Sequence, residues 1–374
     1  MKIVVDENIP FAQQILSQHG EVVAVDGRTM QPQQLVDADA LLVRSVTKVN
    51  RQLLSQANKL KFVGTATIGT EHVDQTLLND QGIAFASAPG CNAIAVGEYV
   101  ATALLAAAEY RQQPLAGKSI AIVGAGNTGS QVAIRAAALG MQVMLYDPPL
   151  AEKGALATSV GFEQVIAADV ISLHVPSTKT GKYPSYHLFN LQVLSKLKPE
   201  QILINACRGE VIDNQALLEI AEQGQSPLLV LDVWEGEPTI LEPLVKYAFI
   251  ATPHIAGYSL EGKMRGTSMV YQAMCQALQI EANDLSEKLL PEPEFSQIAL
   301  KGELTESQLS KITQLVYNIF ADDRRFRQHG ASPVGFDKLR KFYPQRREFS
   351  ALQVVNQHKQ ANLGALGFNI QENK

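Results

Sequence analysis

The sequence predicts two doubly wound parallel-sheet α/β units in tandem, followed by a small α+β region. Three observations carry that prediction. Short apolar, β-rich runs alternate with amphipathic helical patterns; an Ala-rich helical stretch and a Pro114/Gly117 break divide two such series; and the alternation stops near Pro291. A chain of 374 residues also exceeds one ordinary core, because domains usually hold about 100–200 residues. With 46% hydrophobic and 18% charged residues, the composition is that of a folded chain.

In the first series, strands are expected at 3–5, 22–25, 40–43, 62–64 and 83–86, ending in a helix over 93–110. The second series places strands at 120–123, 142–146, 170–173, 202–205, 228–231 and 249–251. From about Pro291 a Pro/Glu-rich linker leads into mixed strand and helix signals and the charged stretch FDKLRKFYPQRRE.

Charge and cysteine content narrow the function classes. Lys plus Arg number 32 against 37 Asp plus Glu, a net charge of −5, so no general polycation is available for nucleic acid. Within the charged stretch, Phe336, Leu339, Phe342 and Tyr343 interleave with Lys338, Arg340, Lys341, Arg346 and Arg347, which predicts a packed, partly solvated helical face. Cys91, Cys207 and Cys275 are widely spaced and form no CxxC pair, so no metal site is expected and a reducing, cytoplasmic setting fits best. The N-terminal MKIVVDENIP is too short in apolar residues for a signal-peptide core. The apolar stretch over 93–108 is interrupted by Gly97 and Glu98 and falls short of the roughly 20 residues of a membrane span, so no membrane association is expected.

Two motifs carry chemistry. Gly124-Ala125-Gly126-Asn127-Thr128-Gly129 is a GxGxxG set between the apolar run SIAIV and a helical pattern, and a second strand, QVMLY, follows and ends at Asp147. In that context the glycines permit a tight turn, close approach of a pyrophosphate and strand–helix packing, with helix N–H groups meeting the phosphates. Asp147 stands where an acid pairs with the adenosine ribose hydroxyls and repels a 2′-phosphate, which favours NAD over NADP.

The second motif is distributed. Arg208, Glu237 and His254 each follow a predicted strand end, where open α/β sheets bind ligands. Each alone also suits an ordinary surface residue. Together, behind a dinucleotide fingerprint, they supply what oxidation of a 2-hydroxy acid needs: a base for the hydroxyl proton, a carboxylate to orient that imidazole, and a planar cation for the substrate carboxylate. Cys207 has no neighbouring His in sequence and reads as a small packing residue close to the cofactor.

The fingerprint and the Arg, Glu, His set in this order resemble the D-isomer-specific 2-hydroxyacid dehydrogenase family over roughly residues 1–285. That resemblance implies a discontinuous substrate-binding domain, 1–93 and 259–285, around a Rossmann NAD-binding domain, 94–258. Further segments, among them VDENIPFA, LLVRSVTKVN, FVGTATIGTEHVD, APGCNAIAVGEYV and HIAGYSLEGKMRGT, are similar to members acting on a small phosphorylated hydroxy acid. They imply substrate contacts at Ser45, Thr67 and Tyr258, NAD contacts at Asp147, Pro176, Cys207, Asp232 and Gly257, and a homodimer built on a C-terminal domain, 286–374. The residues themselves support the phosphate site in part, since Arg44, Ser45, Thr47 and Lys48 follow a strand end. Glu210 stands where a neutral residue is expected. The alternatives left open are 3-phosphoglycerate or another D-2-hydroxy acid as substrate, and an NAD-sensing binding protein.

Overall fold

Successive residues of the buried strands feed opposite faces of two parallel sheets, and this alternation organises the molecule. The computed structural model describes residues 1–283, 286–301, 304–356 and 362–372. The chain divides into two compact units, one of residues 1–92 and 259–292, the other of residues 93–258 and 293–374.

The first unit holds β1 (Lys2–Asp6), β2 (Glu21–Val25), β3 (Ala40–Val43), β4 (Phe62–Thr65) and β5 (Ala84–Ala86), all parallel in the order β2-β1-β3-β4-β5. Ile3, Val5, Ala40, Leu42 and Phe62 line one core, while Val4, Leu41, Val43 and Val63 line another. That is the period of two that a sheet buried on both faces imposes. Two of the crossovers use 3₁₀ turns, Pro32–Leu35 and Leu53–Gln56, in place of full helices. Helix Leu260–Leu278 returns to this unit and lays Met264, Val270, Tyr271 and Met274 on the first core. The Ser259 hydroxyl caps its start, accepting the Gly262 N–H at 2.9 Å.

The second unit holds β6 (Ser119–Val123), β7 (Gln142–Tyr146), β8 (Val170–Leu173), β9 (Ile202–Asn205), β10 (Leu228–Leu231) and β11 (Ala248–Ala251), parallel in the order β7-β6-β8-β9-β10-β11. Chain order reverses direction at β6, so a crevice opens beyond its carboxyl end, where such sheets take ligands. Ile120, Ile122, Val170, Ile204, Val230 and Ile250 face one core; Ala121, Val123, Ile171, Leu203, Leu229 and Leu231 face the other.

Helix Ala93–Arg111 corrects one expectation. Its 19 residues are long and apolar enough to cross a membrane by length and composition. Its most apolar window is 83% buried inside the unit, which makes it a core helix. Glu98, expected to interrupt an apolar stretch, is itself fully buried.

Residues 293–374 fall within the second unit. Strands β12 (Gln297–Leu300), β13 (Gln353–Asn356) and β14 (Asn369–Glu372) form a small parallel sheet in the order β12-β13-β14. Helix Glu306–Val316 packs on Ala93–Arg111, and helix Ile319–His329 packs on β11. Ile312, Ile319, Phe349, Leu352 and Leu366 complete the first core, while Phe326 and Phe336 complete the second. The region is too short to build a large core alone and joins an existing one. Ending the chain at Glu292 would strip Phe326, Phe336 and Phe349, all fully buried. Each is worth about 1.5–3 kcal/mol of burial against a typical total of 5–15. Such a chain is therefore expected to melt at least 10 °C below the full chain by circular dichroism, or to precipitate; an unchanged melting temperature refutes this packing.

Candidate active site

The glycine loop follows β6. Gly124 has φ +94°, and a Cβ there would lie 2.5 Å from the His174 carbonyl oxygen. A Cβ at Gly129 would lie 1.8 Å from the Gly124 carbonyl oxygen, so only glycine lets helix Asn127–Ala138 start this close to the loop. A Cβ at Gly126, by contrast, would meet nothing within 4 Å. That residue caps the helix without a side chain, so its position is open and the N–H groups starting at Asn127 and Thr128 have no side-chain cap. This is a cradle that fits a pyrophosphate. Asp147 follows β7 and serves the loop directly: Oδ2 accepts from Ala125 N at 2.9 Å and Oδ1 from Leu150 N at 3.0 Å. It therefore caps the next helix as well as facing the glycines. Each oxygen keeps a lone pair for a ribose hydroxyl.

Beyond β8, His174 is half-buried and its Nε2 pairs with Ser172 Oγ at 2.8 Å. Desolvation pushes its pKa down to about 3, so the ring is neutral beside the glycine loop. Pro176 follows, and its carbonyl accepts from the Ser185 hydroxyl. Cys207 is buried with its thiol 3.2 Å from Asn205 Oδ1, and burial pushes its pKa up to about 11. A thiol held that way is a packing residue and a poor nucleophile.

The three catalytic candidates sit on loops after β9, β10 and β11. His254 Nδ1 donates to Glu237 Oε2 at 2.8 Å, while Glu237 Oε1 accepts the Trp234 N–H at 2.8 Å. The carboxylate is thus anchored to backbone and fixes the tautomer that leaves Nε2 as the imidazole's acceptor. His254 has φ +58°, a left-handed conformation that costs a non-glycine residue roughly 1 kcal/mol and that clusters at functional sites. Arg208 is half-buried, with Nη1 donating to its own Cys207 carbonyl at 2.8 Å. A Cβ on Gly209 would lie 2.0 Å from the Trp234 carbonyl carbon, so glycine allows the Arg208 loop to press against the loop carrying Glu237. That second loop is also bracketed at Glu235, whose Oε1 pairs with His187 Nε2 at 2.7 Å and whose N–H donates to Asn214 Oδ1 at 3.1 Å. The Glu210 carbonyl accepts the His187 N–H at 2.8 Å, which places this residue beside the same bracket.

Asp232 is 1% exposed. Its Oδ1 accepts from Thr252 Oγ1 at 2.6 Å and Ile255 N at 2.8 Å, and its Oδ2 from Ala256 N at 2.9 Å. Burial raises its pKa against the pull of His254 and these hydrogen bonds. The residue clamps the turn that carries His254, Gly257 and Tyr258, a role invisible in sequence. Two cations from the C-terminal region meet that turn: Arg346 donates to the Ala256 carbonyl at 2.9 Å, and Arg340 Nε donates to the Tyr258 hydroxyl at 3.2 Å. Arg346 is 4% exposed, in keeping with a packed face for this charged stretch.

In the first unit, Ser45 lines a cleft of about 510 Å³ with Lys48, Asn50 and His72. Thr67 Oγ1 lies 2.7 Å from Thr65 Oγ1 and donates to the Gly69 carbonyl at 3.1 Å, so it shapes its own loop. Arg44 is half-buried, and its charge together with burial lowers the pKa of Lys263, chiefly through burial, to about 8. Two cations held together in this way suit an anion. No motif in the sequence singled out Lys263.

Comparison with known proteins accords with this geometry. The NAD-binding domain of the D-isomer-specific 2-hydroxyacid dehydrogenases matches residues 94–256. A full-length relative, the erythronate-4-phosphate dehydrogenase of Tolumonas auensis, is 50% identical over 100% of both chains. The chain belongs to the D-isomer-specific 2-hydroxyacid dehydrogenase family. Its cofactor is NAD and it is an oxidoreductase. Among solved structures, the D-lactate dehydrogenase of Aquifex aeolicus, complexed with NAD and lactic acid, is 26% identical with TM-score 0.58, covering 75% of this chain and 96% of that one. The NAD⁺-bound 3-phosphoglycerate dehydrogenase of Entamoeba histolytica is 26% identical with TM-score 0.59, covering 74% of this chain and 94% of that one. Residues 289–367 match a domain of unknown function.

The dehydrogenase is expected to prefer NAD to NADP by at least 100-fold in kcat/KM, because Asp147 would face the 2′-phosphate. Asp147→Ser is expected to narrow that preference by at least tenfold. Equal kcat/KM for both cofactors in the unaltered chain refutes the assignment of Asp147.

Proposed function

We propose that this dehydrogenase oxidises the 2-hydroxyl of 4-phospho-D-erythronate with NAD, a step of vitamin B6 biosynthesis. The observation that carries this substrate is the extent of similarity. Half of all positions match a relative of that name from end to end, whereas the compared D-lactate and 3-phosphoglycerate dehydrogenases stop short of about a quarter of this chain. Following NADH absorbance with 4-phospho-D-erythronate, 3-phosphoglycerate, D-glycerate and D-lactate tests it. Highest kcat/KM is expected for the first, and preference for 3-phosphoglycerate would reassign the substrate. No turnover on any of them favours a binding protein.

The glycine loop and Asp147 would hold NAD, which would supply the hydride acceptor for C2. The chain's own residues do the remainder. His254 takes the hydroxyl proton at Nε2, since Nδ1 is held by Glu237. Glu237 stabilises the imidazolium that forms. Arg208, with only part of its fork held by the Cys207 carbonyl, grips the substrate carboxylate and polarises the nascent carbonyl. Gly124, Gly126, Asn127, Thr128, Gly129, Asp147, Pro176, Cys207, Asp232 and Gly257 are the proposed cofactor contacts. Arg44, Ser45, Thr67 and Tyr258 are the proposed substrate contacts.

Replacing His254 with Ala is expected to lower kcat by about 10²–10⁴-fold, the usual scale for a general acid–base group, with NADH binding nearly intact. Glu237→Gln should be milder, and the double variant should lose little beyond His254→Ala, because the carboxylate acts through the imidazole. Losses that multiply would mean the two residues act separately.

We further propose a cytoplasmic homodimer. Phe342 and Val334 are 72% and 65% exposed on the C-terminal region, two apolar side chains that a second copy would cover. Sedimentation should show a dimer for the full chain and a monomer for Phe342→Asp/Val334→Asp. A dimer unmoved by both changes places the interface elsewhere.

A further inference from the structure

Arg340 lies on helix Pro333–Lys341, in the region matched as a domain of unknown function, and the oxidation described above leaves it unused. It is half-buried and walled by two rings, its guanidinium carbon 5.8 Å from the centroid of Tyr258 and 5.9 Å from that of Phe336. A guanidinium carries five N–H donors in a rigid fork. Among the described residues only its Nε–H has an acceptor, the Tyr258 hydroxyl. The acids whose field it feels, Glu237 and Asp232, are committed elsewhere. Glu237 holds His254 Nδ1 and Trp234 N, and Asp232 holds Thr252 Oγ1 and the Ile255 and Ala256 N–H groups. They attract the guanidinium without filling its fork.

A partly desolvated arginine with a vacant fork is a receptor for an oxyanion. Its position selects which one. Tyr258 closes the turn that begins at His254, its N–H donating to the Ile255 carbonyl at 2.8 Å, so Arg340 attends the turn that carries the proposed base. Arg208 already answers to the carboxylate next to the reacting carbon. An acid that carries a second anionic group at its far end needs cations beyond Arg208; Arg44 and Lys263 of the first unit offer charge, and Arg340 offers a guanidinium fork beside the turn of the base. We infer that Arg340, aided by the Tyr258 hydroxyl, binds the phosphomonoester of the substrate and sets the preference for a phosphorylated acid. This rests on the reading of 4-phospho-D-erythronate as substrate. It gives the C-terminal region a part in substrate choice beyond packing.

The test compares kcat/KM for 4-phospho-D-erythronate with that for D-erythronate in the full chain, and in Arg340→Gln and Arg340→Lys. The ratio of the two is expected to fall about 10–100-fold in Arg340→Gln, the scale of a lost hydrogen bond to a charged group, mainly through KM. Arg340→Lys keeps the charge without the fork and should fall between. Competitive inhibition by inorganic phosphate should weaken in the same order. Equal losses on both substrates would show that Arg340 only props Tyr258, and an unchanged ratio would show that it does neither; each overturns the inference. If Arg340→Gln does not fold, judged by its melting curve and NADH binding, Arg340→Lys decides by the same ratio. An unaltered chain that fails to oxidise 4-phospho-D-erythronate overturns the parent reading and not this assignment alone.

Discussion

The buried carboxylate of Asp232 is the constraint on which the catalytic geometry depends. Placing a carboxylate at 1% exposure incurs a desolvation cost of several kcal/mol unless hydrogen bonds replace water. Three donors do so here, Thr252 Oγ1 and the N–H groups of Ile255 and Ala256. The Asp232 carbonyl also accepts the His254 N–H at 2.6 Å. The backbone on either side of His254 is therefore pinned to β10, and its left-handed φ is held from both ends. Thr252 carries the link inward, because its hydroxyl lies 2.8 Å from that of Tyr99 on the core helix Ala93–Arg111. A loop residue that must meet a substrate is thus tied to a buried helix of its unit.

The C-terminal region supports the same turn from outside the sheet. Asp323 accepts the Ala251 N–H at the end of β11, at 2.8 Å, and Phe326 packs on Trp234 with ring centroids 5.4 Å apart. Arg346 donates to the carbonyls of Ala256 and Ala95 and lies 3.6 Å from the Tyr317 ring centroid. Such a buried cation is tolerable because carbonyl oxygens, a π face and nearby acids surround it. Glu98 is one of those acids; burial, then the Glu348 charge, raises its pKa well above the usual carboxylate range. Contacts of this kind explain why residues 293–374 share a core with the NAD-binding segment.

How much was legible follows from how local each signal is. Strands β1 to β11 stand where apolar runs predicted them, because a strand buried on both faces must be apolar at nearly every position. The glycine loop was legible because a tight turn, an open helix N-terminus and a close packing contact each demand glycine at fixed spacing. His254 and Glu237 were legible as types of residue at strand ends, and the 2.8 Å contact between them appears only when β10 and β11 lie side by side. Asp232 read as a cofactor contact, and its second part as a clamp was not legible, since its partners lie 20 to 24 residues away along the chain. The core helix stands where the apolar stretch predicted one, but its burial became visible only in the fold, because an apolar stretch looks alike whether lipid or protein surrounds it.

By itself, then, the sequence determined the tandem parallel α/β architecture, the dinucleotide loop and the residue types of the proposed catalytic set, because backbone periodicity and glycine requirements act over a few residues. Tertiary structure alone decided what the C-terminal stretch FDKLRKFYPQRRE does. Its cations alternate with aromatic residues in a pattern that suits a solvated face as well as a buried one. Arg346 is buried and Phe342 exposed because the second unit offers carbonyl oxygens to Arg346 and leaves Phe342 facing water. Which side chain a surface accepts depends on the partner groups that folding brings opposite it, and those come from parts of the chain nearly a hundred residues away or more.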